Sequence, residues 1–193
     1  MPSLSEEDRN AILELARQGV LHAVCHERPL SSFPTTGIFA EHRGLFVTLH
    51  VAKKLRGCIG MIEGNVSLGE TVARCAADAA LHDPRFSRMR EEEMAGLEIE
   101  VSLLSPLEPI RPEEVEIGTH GLLLECGPRR GLLLPQVALE HRLNREQFLA
   151  ETCAKAGLPR DAWKDPETKL YGFQCEIIAE ARSDREEKQS PRQ

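Results

Sequence analysis

The 193-residue sequence predicts an α+β fold, in which a mainly antiparallel sheet is flanked by helices. Some segments have the 3.6-residue hydrophobic period of a helix, and others have the two-residue alternation of a strand. The two kinds of segment do not alternate strictly along the chain, as they would in a doubly wound parallel sheet. Hydrophobic residues make up 41% of the chain, which is enough for a packed core at this length.

Four helices are predicted by the residues at their N-termini. These residues are Ser5, Ser67, Pro135 and Asn144. The first helix should end near His26. Pro84 should end the second, because proline disfavours helical backbone in the residue before it. Gly157 is expected to cap the end of the fourth helix.

The strands are predicted by alternating apolar residues and by β-branched or aromatic side chains. The predicted strands span residues 44–51, 55–62, 97–104, 122–126, 131–134 and 170–181. The fourth and fifth flank a turn at Gly127–Arg130, so we expect them to form a hairpin. Residues 170–181 are predicted to form one long final strand.

The charge and composition disfavour two classes of protein. The formal charge is −7, and the chain has only one Trp, one Tyr and six Phe, so a basic, aromatic-rich nucleic-acid surface is not expected. No apolar run is long enough to cross a bilayer, and the acidic N-terminus is unlike a secretory signal. We therefore predict a soluble cytoplasmic protein with no membrane contact.

The chain contains six cysteines, which we expect to be free thiols, mostly buried. They are Cys25, Cys58, Cys75, Cys126, Cys153 and Cys175. No two of them have the C-x-x-C spacing, and the seven histidines are scattered, so the sequence predicts no zinc site. No cofactor can be named from the sequence.

Strand alternation predicts a polar face that could carry chemistry. Its members, if the three strands are neighbours in one sheet, are Thr48, His50, Arg56, Cys58, Glu98, Glu100 and Ser102. Such a set contains a thiol nucleophile, groups able to act as bases, and an anion-binding guanidinium. The alternative is an ordinary solvated face, in which Arg56 pairs with Glu98 or Glu100 and Cys58 is a small buried hydrophobe.

The two glycines that bracket Cys58 favour the functional interpretation. Gly57 and Gly60 lie inside a strand, where glycine usually marks a bulge or the close approach of another group. We expect that group to be a ligand. Arg56 would also favour the thiolate form of Cys58 if the two side chains are close.

Several segments resemble one protein family over residues 5–182. They are Leu55–Gly60 (Leu-Arg-Gly-Cys-Ile-Gly), Phe46–Leu49, Asp83–Phe86, Leu97–Ser102, Arg130–Val137 and Ala162–Lys164. In these segments the chain resembles the AMME-region protein family, which is defined by the AMMECR domain. The bacterial and archaeal members are known as the A protein of the AmmeMemoRadiSam system.

The resemblance implies a single domain over residues 1–182, with an α+β fold of two lobes and a cleft between them. The larger lobe would comprise about 1–104 and 136–182, and the smaller, β-rich lobe about 105–135. Residues 183–193 are charged and are expected to form a disordered tail. The resemblance also implies a Memo-like protein of the extradiol dioxygenase type and a radical S-adenosylmethionine enzyme as partners, but no reaction and no substrate.

Three functional classes stay open at this point. They are a cysteine-dependent enzyme or ligand-handling component, a non-catalytic scaffold subunit, and a regulatory factor. For the first class we predict Cys58 as nucleophile, with Glu98 and Glu100 as catalytic residues. The predicted ligand-binding residues are His50, Arg56, Gly57, Gly60, Arg85 and Gln136. For a scaffold, the docking candidates are Arg129, Arg130 and the turn at Asp83–Phe86.

Overall fold

The computed structural model describes residues 4–180 and confirms the α+β class. Within these residues the α-helices are α1 (Glu6–Cys25), α2 (Leu68–Leu81), α3 (Pro135–Glu140) and α4 (Arg145–Lys155). The strands are β1 (Leu45–Val51), β2 (Lys54–Met61), β3 (Leu97–Leu104), β4 (Glu108–Pro109), β5 (Gly121–Cys126), β6 (Arg129–Leu133), β7 (Lys169–Phe173) and β8 (Cys175–Ala179). The tail predicted at 183–193 lies outside the described residues.

The predicted helix starts are confirmed by their caps. Each polar N-cap side chain accepts a hydrogen bond from the backbone N–H three residues further on; these caps are Ser5, Ser67 and Asn144. Pro135 is the first residue of α3, where its missing N–H has no intrahelical partner to lose. The sequence-local signals therefore position all four helices.

The described chain divides into two compact units. The N-terminal unit contains residues 4–102 and 177–180, and the central unit contains residues 103–176. This division differs from the predicted one, because residues 136–176 lie with the β-rich segment rather than with the N-terminal residues. The reason is the packing of α4 on the β5–β6 hairpin: a Cβ on Gly131 would lie 2.4 Å from the backbone nitrogen of Ala156.

The N-terminal unit contains a sheet with strand order β2-β1-β3-β8; α2 packs against β1 and β2, and α1 packs against α2. One face of β1 is fully buried through Leu45, Val47 and Leu49. The other face carries half-buried residues, among them Thr48 and His50. Strands β1 and β2 pair antiparallel, and β2 is an edge strand of this sheet.

The β1–β2 pairing contains a bulge. Leu49 lies opposite Gly57, but the next residue, His50, lies opposite Leu55, so Arg56 has no partner on β1. A bulge interrupts the two-residue alternation on which the predicted shared face of Arg56 and Cys58 depends. The side chain of Arg56 is free to take a different direction from that of Cys58.

The central unit is an antiparallel sheet with strand order β4-β7-β5-β6. Its core contains buried residues of β5, α3 and α4 and of the segment before β5, which are Val115, Leu122, Ala138, Phe148 and Leu149. The predicted hairpin is confirmed, although its turn is shorter than expected because Arg129 and Arg130 already belong to β6.

The predicted final strand, 170–181, is wrong as a single element. It forms two strands, β7 and β8, which belong to different sheets. The break falls at Gln174, whose backbone is bound by Ser105: the Gln174 N–H donates to the Ser105 hydroxyl and the Gln174 carbonyl accepts from the Ser105 N–H, both at 2.9 Å. Ser105, 69 residues away, therefore holds the backbone of the residue between β7 and β8.

Candidate functional site

Cys58 lies in the middle of β2, directly opposite Thr48 of β1. The Thr48 hydroxyl donates a hydrogen bond to the Cys58 sulfur at 3.3 Å. Cys58 is half-buried and is a free thiol. Cys58 is therefore partly accessible to solvent, and the strand register places one polar side chain, that of Thr48, against its sulfur.

The backbone of Cys58 is held by a buried carboxylate. The Cys58 N–H donates to Asp83 Oδ2 at 2.8 Å, and the Asp83 side chain is only 2% exposed. Asp83 follows the C-cap of α2, and Pro84 after it prevents the helix from continuing. Because β2 is an edge strand, Asp83 supplies the acceptor that a neighbouring strand would otherwise provide.

Arg85 completes this arrangement. Its Nε donates to Asp83 Oδ1 at 3.0 Å and its Nη2 donates to Asp83 Oδ2 at 2.7 Å. Its Nη2 also lies 3.5 Å from the Cys58 carbonyl oxygen. One carboxylate thus bridges the cysteine amide and the guanidinium, which fixes Arg85 beside Cys58.

The pKa values follow from these contacts. Hydrogen bonds from the Arg85 side chain, and then from the backbone amides of Cys58 and Arg85, hold the pKa of Asp83 well below its usual range. The pKa of Arg85 is raised, first by its hydrogen bond to Asp83 and further by the neighbouring Cys58 side chain. Arg85 is therefore the cation near the cysteine.

Arg56, which we expected beside the thiol or paired with Glu98 or Glu100, has other partners. Its Nε and Nη2 donate to the two carboxylate oxygens of Glu93 at 2.6 and 3.1 Å, and its Nη1 donates to the Ser87 carbonyl at 2.9 Å. The Arg56 side chain is 14% exposed, and its hydrogen bond lowers the pKa of Glu93. The bulge turns Arg56 towards the residues that follow α2.

The close approach predicted from the two glycines is present, but the approaching groups are parts of the protein. A Cβ on Gly57 would lie 2.0 Å from the Ala79 carbonyl oxygen of α2. A Cβ on Gly60 would lie 2.3 Å from the Phe46 ring, which lies opposite Gly60 in the strand register. Packing alone accounts for both glycines, and their predicted role in ligand binding stays a prediction.

The other predicted polar residues gather at a separate place in the N-terminal unit. His50, Glu98 and Glu100 line a cavity of about 150 Å³, together with Lys53 and Glu180. Cys58 does not line it. The structure therefore brings three of the predicted site residues together, but around a space that the thiol does not reach.

The carboxylate of Glu180, which lines that cavity, already forms an ion pair with an arginine. Both of its carboxylate oxygens accept from Arg17 of α1, at 2.9 and 2.6 Å. Oε2 also accepts from the Ile99 N–H at 3.0 Å, which fixes the carboxylate further. Ser102, on the same strand as Glu98, is buried, and its hydroxyl has no hydrogen-bond partner among the described residues.

Gln136 lies on α3, in the central unit. The predicted docking residues of that unit are engaged locally: Arg129 donates to the Gly157 carbonyl at 3.1 Å, and Arg130 pairs with Glu125.

In the described part of the chain, no group of three or more His, Cys, Asp or Glu side chains is placed to hold a metal ion. No helix between residues 4 and 180 is long and apolar enough to cross a membrane.

Sequence reasoning missed three contacts of this site. The sequence indicated Asp83 only as part of the Asp83–Phe86 turn and Thr48 only as a member of the polar face, and it did not single out Glu93. The sequence carries a partial signal for the first, since Asp-Pro after a helix marks a turn whose carboxylate needs a donor. The other two depend on strand register and on the bulge, which no local pattern specifies.

Together these features define a class: an α+β protein of two compact units that fixes a partly exposed cysteine at a sheet edge. The AMMECR1 family model matches residues 13–178, and the chain belongs to this family.

Several known proteins are similar to this chain over most of its length. A protein of Methanothermobacter thermautotrophicus is 40% identical over 187 residues, which cover 92% of this chain and 96% of that protein. A protein of Thermococcus kodakarensis is 41% identical over 194 residues, covering 93% and 94%. The crystal structure of the uncharacterised protein PH0010 from Pyrococcus horikoshii superposes with a TM-score of 0.82 at 39% identity, covering 90% of this chain and 92% of that one.

Proposed function

We propose that the chain is a cysteine-dependent, ligand-handling protein whose reactive group is the Cys58 thiol. The observation that carries the proposal is the way in which one buried carboxylate holds the Cys58 amide and the Arg85 guanidinium together. Burying a charged group costs free energy unless it is paired and hydrogen-bonded. The hydrogen bonds of the buried Asp83 carboxylate offset this cost, and they fix the position of a cysteine that is still partly exposed.

The groups around Cys58 support a role in nucleophilic chemistry. A guanidinium and a hydroxyl donor are the kinds of group that accompany nucleophilic cysteines. Arg85, whose Nη2 lies 3.5 Å from the Cys58 carbonyl, and Thr48 are these two groups in the proposal. Arg56 is excluded because its guanidinium donates to Glu93 and Ser87 and its side chain is only 14% exposed. Glu98, Glu100 and His50 would serve a second binding region, since they line a different cavity.

The proposal extends to the partners that the family implies. The chain would handle a small molecule for a Memo-like protein of the extradiol dioxygenase type and a radical S-adenosylmethionine enzyme. An untargeted metabolite comparison of wild-type cells with a Cys58→Ala strain tests this part. One compound should accumulate in the variant strain, and the same compound should accumulate when either partner gene is deleted.

The second candidate is a non-catalytic scaffold for the same partners. One observation favours it: within residues 4–180, no imidazole or carboxylate is hydrogen-bonded to the Cys58 sulfur, so no general base is in place. A scaffold predicts that reversing the charge of Arg129 and Arg130 breaks a complex with the Memo-like protein. The thiol proposal predicts that this complex, if it forms, survives Cys58→Ala.

Differential alkylation tests the thiol directly. We expect Cys58 to react fastest with iodoacetamide in the native protein, as followed by peptide mass spectrometry over time. Burial raises the pKa of the Cys75 thiol to about 12, and burial also raises the pKa of Cys25 and Cys153, so these three should react slowly.

The urea-unfolded protein is the control, because its six thiols should react at similar rates. If Cys126 or Cys175 is labelled first in the native protein while Cys58 stays unmodified, the thiol proposal is wrong.

A further inference from the structure

Arg85 presents one side of its guanidinium group to the protein and the other to solvent. Nε and Nη2 are bound by the two oxygens of Asp83, and Nη2 also donates to the Cys58 carbonyl at 3.5 Å. Nη1 has no hydrogen-bond acceptor among the described residues, and the side chain is 55% exposed. A planar guanidinium whose Nε–Nη2 edge is held and whose Nη1 edge is open is well suited to bind an oxyanion.

The orientation of that open edge is constrained. The Arg85 guanidinium carbon lies 5.5 Å from the centre of the Phe86 ring, at a distance typical of a cation–π contact. The buried carboxylate fixes the opposite edge, so the guanidinium has little freedom to rotate. The guanidinium is therefore held in place beside the backbone of Cys58.

We infer that the molecule handled at Cys58 is a small compound that carries an oxyanion, which binds the open edge of Arg85 while its reactive atom meets the Cys58 sulfur. This inference rests on the proposed function. It adds the class of ligand and assigns the anion-binding role to Arg85, in place of the Arg56 that the sequence suggested. Asp83 then acts as a positioning residue for both groups.

Two alkylating reagents that differ only in charge provide the test. Iodoacetate and iodoacetamide react in the same way: the thiolate attacks the methylene carbon, a C–S bond forms, the C–I bond breaks and iodide leaves, while the thiol proton goes to the buffer. Only iodoacetate carries an oxyanion. The ratio of the two rate constants, iodoacetate over iodoacetamide, therefore isolates the contribution of the cation.

The expected result is a ratio at Cys58 that exceeds the ratio for a free thiol, N-acetylcysteinamide, by about two- to fivefold, the factor that a partly exposed ion pair supplies. The Arg85→Gln variant should return the ratio to that of the free thiol. Arg85→Lys, which keeps the charge but loses the planar donor pair, should fall between. Arg160→Gln is the matched control, because Arg160 forms an exposed pair with Glu151, and it should leave the ratio unchanged.

Wild-type protein alone supplies a second measurement, which does not depend on any variant folding. Raising the salt concentration screens an exposed cation, so the ratio at Cys58 should fall towards the free-thiol value. A ratio at Cys58 equal to that of the free thiol at low salt, with Cys58 still the fastest thiol, overturns the inference and leaves the proposed function standing. If Cys58 reacts with neither reagent, the proposed function fails and the inference fails with it.

Discussion

Replacing Asp83 with asparagine tests whether this carboxylate joins the two sides of the site. Asp83 accepts from the Cys58 N–H at 2.8 Å and from three donors of Arg85: the backbone N–H and Nε at 3.0 Å and Nη2 at 2.7 Å. An asparagine in the same position turns an NH₂ donor towards two of these donors. Asp83→Asn therefore removes two hydrogen bonds and weakens the others.

The magnitude follows from the burial of the groups involved. A hydrogen bond to a charged group contributes about 1.5–3 kcal/mol, and a buried N–H left without an acceptor costs about 1–3 kcal/mol. Water can replace the lost partner of Arg85, which is 55% exposed, but it cannot easily reach the Asp83 carboxylate, which is 2% exposed. We expect Asp83→Asn to lower the free energy of unfolding by about 2–4 kcal/mol.

Urea denaturation at neutral pH measures this loss. Far-UV circular dichroism follows the helices, and the fluorescence of Trp163 follows the central unit, which does not contain Asp83. Glu114→Gln is the matched control. A hydrogen bond from Arg111 lowers the pKa of Glu114 to about 2, but this pair lies on the surface, so the urea midpoint of the variant should not move.

The pH dependence of the loss has a definite sign. Asp83 has a folded-state pKa well below its ordinary value of 3.8, so its contribution is complete at neutral pH and is lost as the solution is acidified. Asparagine does not titrate. The difference in stability between wild type and Asp83→Asn should therefore be constant above about pH 5 and shrink below about pH 4. A loss under about 1 kcal/mol, or a difference that does not change with pH, would refute the reasoning.

Two glycine substitutions test the packing on which the site depends. Gly57→Ala should lower the free energy of unfolding by about 1–3 kcal/mol, because the added Cβ would lie 2.0 Å from a carbonyl oxygen of α2. Gly96→Ala is the control and should be tolerated, because the nearest atom to its Cβ is 3.8 Å away. Equal thermal midpoints for these two variants would contradict the packing argument. Gly131→Ala should shift the midpoint reported by Trp163 fluorescence, because its Cβ would lie 2.4 Å from the backbone of α4. An unchanged midpoint would mean that α4 does not rest on the hairpin.

The elements of this fold could largely be predicted from sequence, since their signals are local. Ser67 caps α2 through the N–H of Glu70, three residues away, and the alternation of residues 97–104 reproduces the bounds of β3. Such patterns need only neighbours within one or two turns or along one strand. Cys58 and Thr48 could be placed on one polar face for the same reason.

The contacts of the candidate site could not be predicted, because they join residues that are distant in sequence. Cys58 and Asp83 are 25 residues apart, and Arg56 and Glu93 are 37 apart. No periodicity couples such positions. The bulge at Arg56 changes the direction of one side chain, and a pattern of alternating residues cannot reveal it.

The sequence by itself thus determined the fold class, the helix starts, most of the strands and the cysteine at the centre of the candidate site. Only the tertiary structure decided which arginine accompanies that cysteine, where the last strand divides, and which unit contains α4. The physical reason is the same in each case. Local conformation is set by side chains within a few residues, whereas a buried carboxylate at Asp83 or a hydroxyl at Ser105 finds its partners only when whole elements pack together.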